Sequence, residues 1–130
     1  LEEDAFETET NLSANPTYDL ILSSWQPDFP SANANIQPLF ASSEIGNGGY
    51  NLSRYSNPEV DKLIEEAQST VDPAEAGKKW AAIDKRILQD SPVVPLIYTR
   101  NSFIHGSKVG NFFIADFPAY PNYLQVGISK

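Results

Sequence analysis

Cysteine is absent from all 130 positions, methionine is absent too, and histidine occurs once, at His105. Without cysteine there is no disulfide, no thiolate metal ligand and no thiol nucleophile; the compartment is left open. A chain with no methionine even at position 1 is expected to be a processed product or a piece of something larger. Bases are scarce as well. Nine Lys and Arg face 17 Asp and Glu, a net charge of −8, and no base lies between Leu1 and Gly49. The clustered cations that neutralise phosphates are missing, so nucleic acid is not an expected partner. No apolar run approaches the ~18 residues of a membrane span. The opening residues also lack the basic, apolar, small-residue order of a signal peptide.

What remains is the composition of a folded domain: 41% hydrophobic, 12% aromatic and 20% charged residues. A disordered chain would be poorer in aromatics and richer in charge. The length fits one domain with a modest core and is too short for two lobes with a cleft between them. Five of the acids (Glu2, Glu3, Asp4, Glu7, Glu9) fall in the first ten residues, where a solvated face of a weak surface helix over Leu1 to Asn11 accounts for them.

Asn15-Pro16 punctuates the chain, and YDLILSSW from Tyr18 to Trp25 then reads as a buried strand by its length and flanking turn residues. Gln26 to Gly49 changes texture to a long loop holding one helical turn around Ile36, Leu39 and Phe40; loops of this length are usually functional. Two helices follow. Asn57 caps the first, with Pro58 in its first turn and Glu59 and Asp61 near its positive end; Val60, Leu63, Ile64 and Ala67 recur at helical spacing. Asp72-Pro73 opens the second, Glu75 stands at capping-box spacing, the stripe is Ala76, Trp80, Ile83 and Ile87, and Ser91-Pro92 stops it. Val93 to Tyr98 reads as a strand pushed toward an edge or bulge by Pro95, and Asn111 to Ile114 and Leu124 to Ile128 as further strands. Strand, loop, helix, helix, strand predicts an α/β layered domain.

Little of the sequence supports catalysis. There is no GxSxG elbow and no GxxxxGK or GxGxxG phosphate loop, and His105 in RNSFIHGSK has no carboxylate or serine constellation beside it. The glycines of EIGNGGYN read as a turn. The helix acids are placed as caps and solvated faces. Asp28 stands apart, three residues after Trp25 at the mouth of the first strand. An acid there, next to a large aromatic, is placed to receive a cation in a crevice; an Asx-turn or loop cap at Asp-Phe-Pro explains it equally well.

The stretches YDLILSSWQPDFPSANANIQPLFAS, NLSRYSNPEVDKLIEEAQ, the Asp72-Pro73 helix, QDSPVVPLIY and KVGNFFIADFPAYPNYLQV resemble, in that order, the C-terminal part of the family 5 extracellular solute-binding proteins. These are the peptide-binding components of ABC importers. YSNPEVDKLIEEA and the strand-W-x-x-D element are the most specific of the five. The resemblance implies a type II periplasmic-binding-protein-like α/β lobe, with a mixed sheet flanked by helices. Residues 1–130 would form a single domain, the second lobe of a two-lobed protein several times this length, with the tail from about residue 108 returning toward the first lobe.

In peptide-binding members an aspartate three residues after the tryptophan pairs with the peptide's N-terminal ammonium. Asp28 takes that place here and Trp25 would line the pocket; Phe29, Asn33, Tyr50 and Arg54 are further ligand-binding candidates, although Asn33 and Arg54 serve equally as loop hydrogen-bonders. The sequence departs from many relatives after Asp28, where Phe29-Pro30 continues as Ser31-Ala32-Asn33 without a second acid. The expected protein is not an enzyme, holds no cofactor or metal, works outside the cytoplasm, and partners a peptide and a membrane ABC permease. A binder of another solute, such as an oligosaccharide stacked on Trp25, Phe29 and Tyr50, is the alternative, and a relative turned regulatory or scaffolding protein is a second. A lobe without its parent is expected to expose apolar surface and to self-associate.

Overall fold

The computed structural model describes residues 3–128. Two compact units are present, one made of the chain up to Pro27 together with Ser31–Val94, the other of Asp28–Pro30 with the chain from Pro95 onward.

In the first unit the chain opens with α1 (Glu3–Glu7), which continues as a π-helical turn over Thr8–Leu12. Of the opening helix read from the sequence, Leu1 and Glu2 lie outside the described residues. Thr10 is buried and its hydroxyl donates to the Phe6 carbonyl at 2.9 Å. A helix α2 (Asn33–Phe40) and a 3₁₀ turn (Ser42–Glu44) occupy the long loop, so one expected helical turn is in fact two with a further turn behind them.

Helix α3 (Pro58–Gln68) begins where its cap predicts. Asn57 leaves helical geometry (φ −144°), and its Oδ1 accepts from the backbone N–H of Glu59 at 3.0 Å and Val60 at 3.4 Å, filling two of the donors a helix start leaves orphaned. Helix α4 (Pro73–Asp90) repeats the device, with Asp72 accepting from the Glu75 N–H at 2.8 Å. It ends at Ser91, whose left-handed backbone (φ 54°) lets its N–H return to the Ile87 carbonyl, a stop more often made by glycine.

The buried stripes of these helices meet. Val60, Ile64 and Ala67 of α3 and Trp80, Ile83 and Ile87 of α4 join Ile36 and Ala41 in one apolar cluster, flanked by Phe40, Tyr55, Leu63 and Ala76. Burying each large apolar side chain contributes on the order of 1.5–3 kcal/mol. The end of α4 is tied back to the start of α3 by Asp90, whose Oδ2 accepts from the Tyr55 hydroxyl at 2.6 Å and the Asn57 amide at 3.0 Å; Arg86 pairs with the other oxygen. The two helices are therefore antiparallel.

The second unit is an irregular hairpin. Strand β1 (Val109–Gly110) pairs antiparallel with β2 (Gly127–Ile128), with Val109 opposite Ile128 and Gly110 opposite Gly127. An isolated bridge joins Ile114 to Pro121, supported by Ala115 N–H to Tyr120 O and Asn122 N–H to Phe113 O, both 3.1 Å. Phe103 packs edge-on to Tyr120, and His105 lies over Phe112 at a ring separation of 4.4 Å. The lone histidine is thus in an aromatic contact.

The sheet is where structure and sequence reading differ. Among the described residues it is this one antiparallel pair, not a mixed sheet, and the strands expected over Asn111 to Ile114 and Leu124 to Ile128 shrink to one bridge residue and to Gly127–Ile128. Tyr18 to Trp25 and Val93 to Tyr98 join no ladder. The physical reason is the absence of partners, since a strand exists only by pairing. Leu20 is 91% exposed, and Leu22, Leu96, Ile97 and Tyr98 are exposed too. Among the described residues no helix is long and apolar enough to cross a membrane.

Candidate functional site

The site begins with a missing hydrogen. Pro38 lies inside α2 and has no N–H to donate to the carbonyl four residues earlier. That carbonyl belongs to Ala34, which is buried, and the indole Nε1–H of Trp25 donates to it at 2.8 Å. A proline that would leave a buried acceptor short thus anchors a tryptophan arriving from a distant segment. The indole ring of Trp25 also meets Tyr50, with ring centroids 5.1 Å apart and planes tilted by 58°, a favourable separation for an aromatic pair. Tyr50 remains 48% exposed.

Tyr50 is carried by a loop of unusual backbone. Gly46, Asn47 and Gly48 take three successive left-handed conformations (φ 69°, 52° and 86°), which explains the glycine-rich turn. A Cβ on Gly49 would come within 2.2 Å of the Glu44 carbonyl oxygen, so the two backbones touch there. The next residue is the knot of the loop. Asn51 is 2% exposed; its Nδ2 donates to the carbonyls of Ala41 (3.0 Å) and Tyr55 (2.8 Å), and its Oδ1 accepts from the Tyr55 N–H and the Ser53 hydroxyl, both at 3.1 Å. All four of its side-chain bonding positions are thereby used.

The segment leading to Trp25 is fastened to the same loop. The Tyr18 hydroxyl donates to the Leu52 carbonyl at 2.7 Å, and burial pushes this phenol above its ordinary pKa. Arg54 donates from Nη1 to the Ser13 carbonyl at 3.2 Å and from Nη2 to the Ala14 carbonyl at 3.0 Å. Glu9 accepts from both the N–H and the hydroxyl of Thr17, and these bonds hold its carboxyl below the usual range.

Of the six residues singled out in the sequence, Trp25 and Tyr50 are brought into contact, and Asn33 stands at the start of α2, next in the chain to the Ala34 that accepts from Trp25. Asn33 Oδ1 accepts from Gln68 Nε2 at 3.0 Å, and the two amides, with Ser31, Thr70 and Trp80, line an open recess of about 300 Å³. No charged side chain lines it. Arg54 is engaged with backbone carbonyls, as described. Asp28 and Phe29 belong to the second unit, where both are exposed. Two features escaped the sequence reading. Pro38 carried a signal, a proline in an apolar helical patch; Asn51, one asparagine among several, carried none. Among the described residues no group of three His, Asp or Glu side chains is placed to hold a metal ion.

No protein-family model matches the chain. Among curated proteins it is similar to the glutathione-binding protein GsiB of Escherichia coli strain K12, at 32% identity over 90 residues. The match covers 69% of this chain and 18% of that protein, and the GsiB of Shigella flexneri gives the same values. The chain therefore spans less than a fifth of the length of these relatives. Among solved structures it resembles the clavulanic acid biosynthesis oligopeptide binding protein 2, with a TM-score of 0.72 and 27% identity over 82% of this chain and 20% of that one. That likeness places the chain in the α/β class of a partial binding-protein lobe. Both relatives are binding proteins by name, not enzymes.

Proposed function

Since the chain belongs to the family 5 extracellular solute-binding proteins, we propose that it is most of the second lobe of a peptide-binding component of an ABC importer. It would work outside the cytoplasm, enclosing its ligand against a first lobe by hinge closure and delivering it to a membrane permease. The observation that carries this reading is the agreement of two independent likenesses, one to a binder of glutathione, itself a tripeptide with a free amino group, and one to an oligopeptide binder.

In the proposed site, Trp25 and Tyr50 form an aromatic wall that contacts ligand side chains without selecting strongly among them. Asp28 supplies the carboxylate for the ligand's ammonium. Such a pair, once desolvated, selects for a free N-terminus, because a ligand lacking the ammonium leaves an uncompensated charge. Phe29 would add apolar surface, and Asn33 an amide for the peptide backbone. The remaining specificity would come from main-chain hydrogen bonds, which tolerate varied side chains.

Calorimetric titration of the full-length protein with short peptides tests the proposal. Free peptides, glutathione among them, are expected to bind. Absence of heat with free peptides, together with binding of N-acetylated peptides or of oligosaccharides, would falsify the role given to Asp28 and favour a different solute.

A further inference from the structure

We propose that Arg54 is a positioning residue that sets the geometry of the Trp25–Tyr50 pair by strapping the chain ahead of Trp25 to the loop that carries Tyr50. The inference rests on the reading that this pair lines the ligand site, and it gives Arg54 a role apart from touching ligand.

Three observations converge on it. The guanidinium is a planar fork, and its two terminal nitrogens reach the carbonyls of successive residues, Ser13 and Ala14, 41 and 40 positions earlier in the chain. The Arg54 backbone is itself left-handed (φ 54°), a conformation uncommon for a residue with a side chain, and it follows directly on the Asn51 knot. Finally, no other Lys or Arg occurs before position 54, so no upstream cation can take over the strap.

The strap is one of several ties between the same two stretches. Gly48 N–H donates to the Asn11 carbonyl at 2.9 Å, and the Tyr18 hydroxyl to the Leu52 carbonyl. The tied stretch runs on to Trp25, and the loop between the ties, from Gly48 to Leu52, contains Tyr50. Arg54 is the charged tie in this set, and hydrogen bonds from a charged donor are the stronger ones. Its removal leaves the α3–α4 core untouched, since that cluster contains neither Arg54 nor its acceptors. The expected result is a loosened aromatic pair on an intact helical body.

Glycine at this position separates the two properties of Arg54, because it accepts the left-handed backbone freely and removes the guanidinium. Near-ultraviolet circular dichroism of the full chain reads the aromatic pair, with Tyr50→Ala defining the band the pair contributes, and far-ultraviolet dichroism reads the helices. Arg54→Gly is expected to lose most of that band with helicity unchanged. Arg54→Lys should be intermediate, as one ammonium replaces a two-pronged fork. In the full-length protein, Arg54→Gly should weaken peptide binding about tenfold through lost preorganisation.

A retained band in Arg54→Gly overturns the proposal. So does a band lost only together with helicity, which would make Arg54 a general stabiliser. A lost band with unchanged peptide affinity upholds the positioning role and counts against the pocket assigned to Trp25 and Tyr50.

Discussion

The indole N–H of Trp25 donates to the carbonyl of Ala34 at 2.8 Å, the acceptor that Pro38 cannot serve. The pairing makes a testable coupling. Trp25→Phe leaves a buried carbonyl without a donor and should cost about 1–3 kcal/mol. In a Pro38→Ala background the helix supplies its own N–H to Ala34, and the same Trp25→Phe change should cost about 1 kcal/mol less. Denaturant unfolding of the four proteins of the cycle measures it, and strict additivity would show that the indole bond does not serve the acceptor orphaned by Pro38.

Asn51 should be among the most sensitive polar positions. Asn51→Ala deprives the carbonyls of Ala41 and Tyr55 and the Tyr55 N–H of their partner in a site that is 2% exposed. Summed over these groups the loss is about 3 kcal/mol. Asn51→Asp retains the acceptor and removes both donors, and it too should destabilise. A midpoint unchanged in both variants would mean that water enters the site and replaces the amide.

The tie between α3 and α4 should be sensitive to acid. The Tyr55 hydroxyl, and after it Asn57 and Arg86, hold the Asp90 carboxyl below its ordinary value of 3.8. Folding therefore favours the carboxylate. Its contribution is present above the unfolded pKa and is lost as pH falls through the lower, folded value. Tyr55 is shifted the other way, up, by burial and then by the same hydrogen bond, so its contribution is present below the unfolded phenol pKa and is lost as pH rises through the folded one. Thermal midpoints across pH should fall on both sides, and Asp90→Asn should flatten the acid limb below about pH 4. An identical acid limb in the variant would assign the loss to other carboxylates.

How much of this was legible in the sequence depends on how local each cause is. Asn57, Asp72 and the stripe from Val60 to Ile87 act within a turn or two of their own helix, and α3 and α4 begin where those residues say. YDLILSSW and VVPLIY read as strands from their own lengths, residues and flanks, but pairing is a property of two segments, and neither joins a ladder among the described residues. The same holds for the site. Trp25 and Tyr50 could be named from their types, whereas the Ala34 carbonyl that fixes Trp25 and the two carbonyls that engage Arg54 are long-range acceptors that no spacing rule reveals.

Those unpaired segments carry a prediction. Leu20, Leu22, Leu96, Ile97 and Tyr98 are exposed on stretches with open backbone donors and acceptors, the arrangement that invites strand-to-strand association. The 130-residue chain on its own should elute from size exclusion above its monomer mass of 14.4 kDa and shift further with concentration. Leu20→Lys combined with Ile97→Lys should restore a monomer. A clean monomer of the unsubstituted chain at high concentration would show that these segments find cover within it.

The sharpest test of the proposed function is Asp28, because its two readings predict opposite results. As the partner of a ligand ammonium, the carboxylate would be desolvated on closure. Asp28→Asn in the full-length protein would then remove one member of a buried pair and weaken free peptides by about 100-fold or more. N-acetylated peptides, which bring no ammonium, would bind no worse to the variant than to the parent, and the gap between the two ligand classes would close. As a turn-former at Asp-Phe-Pro, Asp28 would instead affect stability: Asp28→Asn, which keeps an acceptor for an Asx-turn, would be nearly silent for every ligand. Paired titrations of free and acetylated forms of one peptide against parent and variant decide between them, and equal affinities in all four combinations would remove Asp28 from the site.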